Sequence, residues 1–329
     1  MIDAKENIGL QKIIAIIAIV LFFIKLIAWY MTRSLAILTD ALESVVNIVS
    51  GLLGLYSLHL SAKPKDVDHP YGHGKVEFIT VAVEGTLITF AGFFIIFKSV
   101  NSFYHPHTIT KMDFGIILIA VSGIINFIAG TICIRTGKRN NSLPLIAGGK
   151  HLKTDTYTTI GILAGLVIIY LTNDIFLDGV VACIFALIII FTGFKILRSS
   201  IAGIMDEADL NLLNRLVEIL NKKRRENWID LHNLRIIKYG SKLHLDCHLT
   251  VPWYLNVNET HSETEALSAL IKNEFNETVE LFVHSDACME FSCRICPKQN
   301  CAVRKHALEK KITWTIKNIS RDSKHDIMS

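Results

Sequence analysis

Before residue 205 the chain holds six apolar stretches, at about 10–31, 35–60, 78–100, 113–134, 146–172 and 175–198. Each can cross a hydrocarbon core of roughly 30 Å as a helix of about 20 residues. In lipid every backbone N–H and C=O must be paired within the protein, and a continuous apolar run does this only as a helix. The first stretch has too long an apolar run for a secretory signal. No small-residue cleavage pattern follows "AIIAIVLFFIKLIAWYMTRS", so a true span is expected. Lys25, near its end, is expected to snorkel to the interface.

Basic residues orient the spans. Lys63, Lys65 and Lys75 lie between spans two and three, and Arg135, Lys138, Arg139 and Lys150 between four and five. The opposite connections offer Arg33, Lys98 and Lys111. The positive-inside rule then puts both termini in the cytoplasm of a multi-pass protein, with a cell inner membrane as its expected site. The net charge of +4 carries no nucleic-acid inference.

After "SSIAGIMDEADL" the periodicity changes. Residues 208–225 read as an amphipathic helix. Two strand-like stretches, "LHNLRIIKYG" and "KLHLDCHLTV", meet at a turn at Gly240–Ser241. A second helix fits 258–275, starting at Asn258, and "TVELFVHSD" reads as a third strand. The order αββαβ predicts a small α+β domain with its helices on one face of a sheet. The expected layout is a six-helix membrane domain at 1–206, a soluble domain at 207–287 and a cysteine-containing tail at 288–329 that ends polar and mobile.

Charged groups inside a membrane are costly and mark functional sites. Glu43 and Asn47 in span two, and His151 and Asp155 at the mouth of span five, are each four residues apart and so share a helix face. Two such pairs can close a four-coordinate cation site between two helices. Asp40, a turn earlier, is a reserve ligand or a residue at the entrance. Glu84 and Asn126 have no such pattern and are read as helix contacts.

Further clusters follow. Asp66, His69 and His73 sit at D-x2-H-x3-H spacing in "KPKDVDHPYGHGK", enough for a zinc-like ion. His232, His248, His261, His284 and Asp286 are spread over the soluble domain and make a site only if the fold gathers them. Cys288, Cys293, Cys296 and Cys301 have the spacing C-x4-C-x2-C-x4-C of a possible four-cysteine knuckle, with His306 a possible substitute ligand. In a reducing compartment such a cluster reads as metal ligands sooner than as disulfides. Cys133 and Cys183, within spans, are expected as packing residues.

"SLAILTDALESVVN", "DHPYGHGK", "KHLKTD" and the closing "HLTV…VHSD" resemble a cation diffusion facilitator over about residues 10–290. That resemblance implies a homodimeric, proton-coupled exporter of divalent metal with six spans and a ferredoxin-like, metallochaperone-like cytoplasmic domain. It places the transport site on Glu43, Asn47, His151 and Asp155, and a loop site on Asp66, His69 and His73. It implies a dinuclear site that stabilises the dimer on His232, His248, His261, His284 and Asp286, and a salt bridge between Lys75 and Asp206. The family often has aspartate or histidine in place of Glu43, and aspartate in place of Asn47.

The expected activity is export of divalent cations against protons, with zinc first and iron(II), manganese, cobalt or cadmium as rivals. The expected partners are the metal ion, protons, membrane lipid and a second copy of the chain. There is no G-x4-G-K-[ST] for nucleotide-driven pumping and no H-E-x-x-H for an intramembrane metal enzyme, so no enzymatic activity is expected. A membrane metal sensor that does not transport is the alternative.

Overall fold

The computed structural model describes residues 2–61, 63–105, 109–139, 143–172, 174, 176–239, 242–275 and 279–327. They form two compact units, Met1–Leu58 with Ile79–Ile201, and His59–Phe78 with Ala202–Ser329.

The first unit is built from α1 (Ile2–Thr32), α2 (Leu35–Ser61), α3 (Val76–Tyr104), α4 (Met112–Arg139), α5 (Leu143–Thr172) and α6 (Phe176–Ile204). All six are long and apolar enough to cross a membrane, as expected. Burial sorts them: 47% of the α2 span is buried, against 17% for α1, α3 and α6, so α2 is the most enclosed. The outer helices present Phe90, Phe93, Phe97, Phe191 and Phe194 outward, as lipid contact requires. Helices in lipid gain from close backbone packing. Where α4 meets α5, a Cβ on Gly130 would stand 2.8 Å from the Gly149 carbonyl oxygen, so only glycine permits this approach. Cys133 is buried beside Ala129 and Leu152, the packing role expected of it.

The first N–H groups of any helix lack partners within it. At the start of α2 the fully buried Asp178 of α6 supplies them. Its carboxylate accepts from the Ser34 hydroxyl at 2.6 Å and from the N–H groups of Leu35 at 2.6 Å and Ala36 at 3.3 Å.

The second unit follows the predicted αββαβ order. Helix α7 (Leu210–Lys222) buries Leu213, Leu216, Val217 and Leu220, a 3.6-residue stripe, and Asp209 caps its N-terminus. Strands β1 (Asp230–Tyr239) and β2 (Lys242–Val251) pair antiparallel, and β3 (Val279–Ala287) lies parallel to β2, giving the order β1-β2-β3. A parallel neighbour needs a crossover. It is α8 (Val257–Glu274), whose cap is Asn256 with Glu259 completing a capping box, two residues earlier than the expected Asn258. The Gly240–Ser241 turn lies outside the described residues.

Side chains alternate across a strand. Leu245, Cys247, Leu249 and Val251 of β2 join the core with Val279, Leu281 and Val283 of β3, so His244, Asp246, His248 and Thr250 take the opposite face. The tail departs from expectation. Ile312, Trp314 and Ile319 are buried in that same core, with a short helix α9 (Ile316–Ile319) between. The Arg224 guanidinium lies 4.1 Å over the Trp314 ring and donates to the Trp228 and Ile312 carbonyls at 3.0 and 2.7 Å. "KITWTIKNI" is polar on average, but its four large apolar side chains bury enough surface to hold the segment down.

Candidate metal centre

In the membrane unit α2 carries Glu43 and Asn47, and α5 carries His151 and Asp155. The two helices meet at these residues: Asn47 Nδ2 donates to Asp155 Oδ2 at 2.9 Å, and Asp155 is buried. Glu43 lies within electrostatic reach of both Asp155 and Asp40. His151 stands on α5 one turn before Asp155, and its side chain lies outside the described residues.

Two expectations are corrected here. Lys25 does not snorkel. It is 2% exposed, and its ammonium group donates to Asp40 Oδ1 at 2.9 Å. Asp40, 1% exposed, is therefore engaged and is not a spare ligand; the Thr159 hydroxyl also reaches Oδ1, at 3.4 Å. A buried lysine needs a counter-charge, and Asp40 supplies it. Lys25 pairs with Asp40, so the carboxyl groups left to face a cation are Glu43 and Asp155. Deprotonated on metal binding, they would set two negative charges beside a neutral amide and an imidazole position, which suits a divalent cation.

In the second unit Asp66, His69 and His73 converge, with ligand atoms within 4.8 Å of one another. The loop closes through the Gly72 N–H to the His69 carbonyl at 2.8 Å, with Gly72 at φ +89°, where a side chain would be strained. Asp66 reaches His69 Nδ1 at 3.0 Å and His73 Nε2 at 3.3 Å, and the two rings lie 4.2 Å apart. Slight desolvation pushes the Asp66 carboxyl up, but hydrogen bonds from the His69 N–H and ring hold it below the usual carboxylate range. It is thus ready to ligate at neutral pH. Lys75, from the same loop, pairs with Asp206 at 2.9 Å. Desolvation opposes its charge, but Asp206 outweighs that and raises the ammonium pKa.

Strand register builds the third cluster. His232 pairs with His248 and His248 with His284, so three imidazoles stand in a row across β1, β2 and β3 on the face away from the core. Two residues along, Asp230, Thr250 and Asp286 form the adjoining row. Asp286 Oδ2 lies 3.4 Å from His232 Nε2 and 3.3 Å from His248 Nδ1, and the ligand atoms of this trio lie within 4.8 Å of one another. That oxygen is buried and makes no well-directed hydrogen bond among the described residues, as suits a metal ligand. His284 flanks the trio, its ring 4.7 Å from that of His248. His261 does not join them. It is exposed on α8 and faces Glu265 at 3.4 Å.

Several participants were not anticipated. The buried His325 places Nδ1 2.5 Å from Asp230 Oδ1, and Asp230 Oδ2 stands 3.3 Å from His232 Nδ1. Burial pushes the Asp230 carboxyl up, but hydrogen bonds from His232 and His325 outweigh it and hold the group well below the usual range. A carboxylate behind a histidine fixes its tautomer and orientation. Asn233, at φ 51° in a bulge of β1, reaches His248 Nε2 at 3.2 Å. Asp230 had a signal, since it shares the strand face of His232; nothing in the sequence marked His325.

Cys288, Cys293, Cys296 and Cys301 are free thiols gathered after β3, but no three of their sulfurs close within 4.8 Å of one another. His306 lies 3.4 Å from Glu290 and so is engaged elsewhere.

Comparison with known proteins agrees with this architecture. Residues 12–205 match the profile of the cation efflux transmembrane domain, and residues 209–288 match that of the cation efflux protein cytoplasmic domain. An uncharacterized transporter of Synechocystis sp. is 30% identical over 75% of this chain and 80% of its own length. The manganese efflux system protein MneP of Bacillus subtilis is 23% identical over 85% of this chain and 97% of its own. A cadmium, cobalt and zinc/H(+)-K(+) antiporter of Bacillus velezensis is 23% identical over 77% and 80%. The chain is an integral, multi-pass membrane protein and belongs to the cation efflux family, the cation diffusion facilitator transporters of divalent metal.

Proposed function

We propose that the chain exports a divalent transition-metal cation from the cytoplasm in exchange for protons, through a site formed by Glu43, Asn47, His151 and Asp155. The observation that supports this reading is the 2.9 Å contact between Asn47 of α2 and Asp155 of α5, one residue from each expected ligand pair. Imidazole and carboxylates must shed protons to ligate, so protons entering from the far side displace the ion. Alternating access then couples the two flows by rocking helices about a fixed site. The Bacillus velezensis relative, named as a proton antiporter, supports the coupling.

Zinc is the proposed first substrate, because imidazole with two carboxylates suits a borderline ion, with iron(II), manganese, cobalt and cadmium as competitors. The neutral Asn47 is the feature that sets the ranking. The protein works as a homodimer in a cell inner membrane with both termini in the cytoplasm. Asp66, His69 and His73 hold one accessory ion, and His232, His248, His284 and Asp286 hold the ions that stabilise the dimer.

Proteoliposomes with a metal-sensitive dye inside and a pH jump across the membrane test this. Wild-type protein should carry metal only with a proton gradient. His151→Ala and Asp155→Ala should abolish flux while the soluble-domain clusters still bind metal. Undiminished flux in both variants would remove these residues from the path. Metal binding without flux in the wild type would favour a membrane sensor.

A further inference from the structure

The match to the family's cytoplasmic domain ends at residue 288, so Cys293, Cys296 and Cys301 lie beyond it. One buried cysteine needs no explanation beyond packing. Four within fourteen residues, all free and facing one another closely enough to interact electrostatically, call for one.

The backbone around them is arranged to support sulfur ligands. Cys288 leaves β3 with its N–H on the Val251 carbonyl at 2.9 Å, and its Sγ accepts the Trp253 N–H at 3.4 Å. The Lys298 N–H points to the Cys296 sulfur, two residues on from the ligand, where a tight Cys-Pro-Lys turn directs it. The Tyr254 hydroxyl reaches Cys301. These contacts fix the positions of the sulfurs in the chain.

Arg304 then gathers the segment. Its guanidinium donates to the carbonyls of Cys293 at 3.0 Å, Cys296 at 3.1 Å and His306 at 3.3 Å, and to that of Lys298. The stretch from Cys288 to Cys301 has only one short 3-10 turn, Glu290–Arg294, so it has little regular structure to fix its path. A rigid charged fork inside it does so. Four thiolates around a divalent ion leave a charge of −2, and Arg304 and Arg224 are both near enough to Cys296 to offset it.

We propose that Cys288, Cys293, Cys296 and Cys301 form a four-thiolate metal centre, chemically distinct from the carboxylate–imidazole sites, which clamps the segment after β3 onto the soluble unit. A zinc ion with Zn–S near 2.3 Å needs sulfurs about 3.8 Å apart, so a single ion draws the present arrangement inward. An iron–sulfur cluster accepts a wider set of four cysteines. Both share the thiolate chemistry, and the experiment separates them.

Full-length protein is purified anaerobically under reducing conditions, and zinc, iron and acid-labile sulfide are measured per chain. The wild type is compared with Cys301→Ser and with the pair Cys293→Ser/Cys296→Ser. Cobalt(II) serves as a second probe, because thiolate ligation gives a charge-transfer absorption that oxygen and nitrogen ligands do not. About one zinc per chain lost in the serine variants, with loss of that absorption, establishes the centre in its single-ion form. Iron with sulfide, lost in the same variants, establishes it as a cluster. Equal metal content in all three proteins, with no thiolate charge transfer in the cobalt-loaded wild type, overturns the proposal. Cys301 is only half-buried, so Cys301→Ser gives a readout even if the double variant fails to fold.

Discussion

Replacing Lys25 with methionine keeps the length and bulk of the side chain and removes its charge. In the native structure this ammonium group sits 2.9 Å from Asp40, with the two side chains 3% and 1% exposed. Removing one partner of a buried pair leaves an uncompensated charge, at a cost of roughly 3–5 kcal/mol. Asp40 cannot recover the loss locally, since the Thr159 hydroxyl at 3.4 Å is a neutral donor and Oδ2 has no hydrogen-bond partner among the described residues. For a unit of this size each kcal/mol corresponds to about 2–4 °C, so Lys25→Met should lower the melting temperature in detergent by roughly 6–20 °C. The double variant Lys25→Met/Asp40→Leu removes both charges and should recover most of that loss, giving a coupling energy of several kcal/mol. The assay is thermal unfolding of the four proteins of the cycle, read by size-exclusion survival or tryptophan emission. A double variant less stable than the single, or a single variant as stable as wild type, would refute the idea that Lys25 balances Asp40.

Three further outcomes are expected. Asn47→Asp sets two carboxylates 2.9 Å apart, a repulsion of roughly 6 kcal/mol at an effective dielectric of about 20, relieved only by a shared proton or a metal ion. Zinc affinity should rise, and both the pH profile and the metal ranking should shift, as titration calorimetry and flux will show; if none of the three moves, Asn47 does not face the ion. His325→Ala removes the partner of Asp230 behind His232 and should weaken zinc binding at the sheet by about tenfold, without altering flux through the membrane site. Asp209 caps α7 and pairs with Lys238 at 2.5 Å, and the Lys238 hydrogen bond is the chief cause of its lowered pKa. A depressed carboxylate contributes stability that is present above its unfolded pKa of about 3.9 and lost as pH falls through the folded value. Asp209→Ala should therefore cost about 1 kcal/mol in urea unfolding at pH 7, and the gap to wild type should close below about pH 4.

The parts legible in the sequence were those written as a period. Six apolar runs announce six helices, and the alternation in "KLHLDCHLTV" separates Leu245, Cys247 and Leu249 from His244, Asp246 and His248 before any contact is known. The pairing of His232 with His248 does not follow from the hairpin alone: the register at Tyr239↔Lys242 would set His232 opposite Leu249, and the bulge between His232 and Arg235 shifts it by one residue. Contacts between distant residues with no repeat left no such trace. Lys25 and Asp40 are fifteen residues apart on two helices, and Asp178 reaches Ser34 across 144. Likewise His325 meets Asp230 across 95 residues from a segment that reads as polar. Within the single chain His261 stands apart from the other histidines, because its position on α8 turns it toward Glu265.

The grip of Asp178 on the first turn of α2 has a mechanical consequence. It pins one end of the helix that carries Glu43 and Asn47 and makes that end a fulcrum. At 1.5 Å per residue Glu43 lies about 12 Å, and Asn47 about 18 Å, along the lever from Leu35. A tilt of about 10° about that point moves Glu43 by roughly 2 Å and Asn47 by roughly 3 Å. The second displacement matches the whole length of the Asn47–Asp155 hydrogen bond, 2.9 Å. A small swing of α2 is therefore geared to part the amide from Asp155 while Glu43, nearer the pivot, travels less, so the contacts to an ion held between the two helices would break in sequence and not all at once.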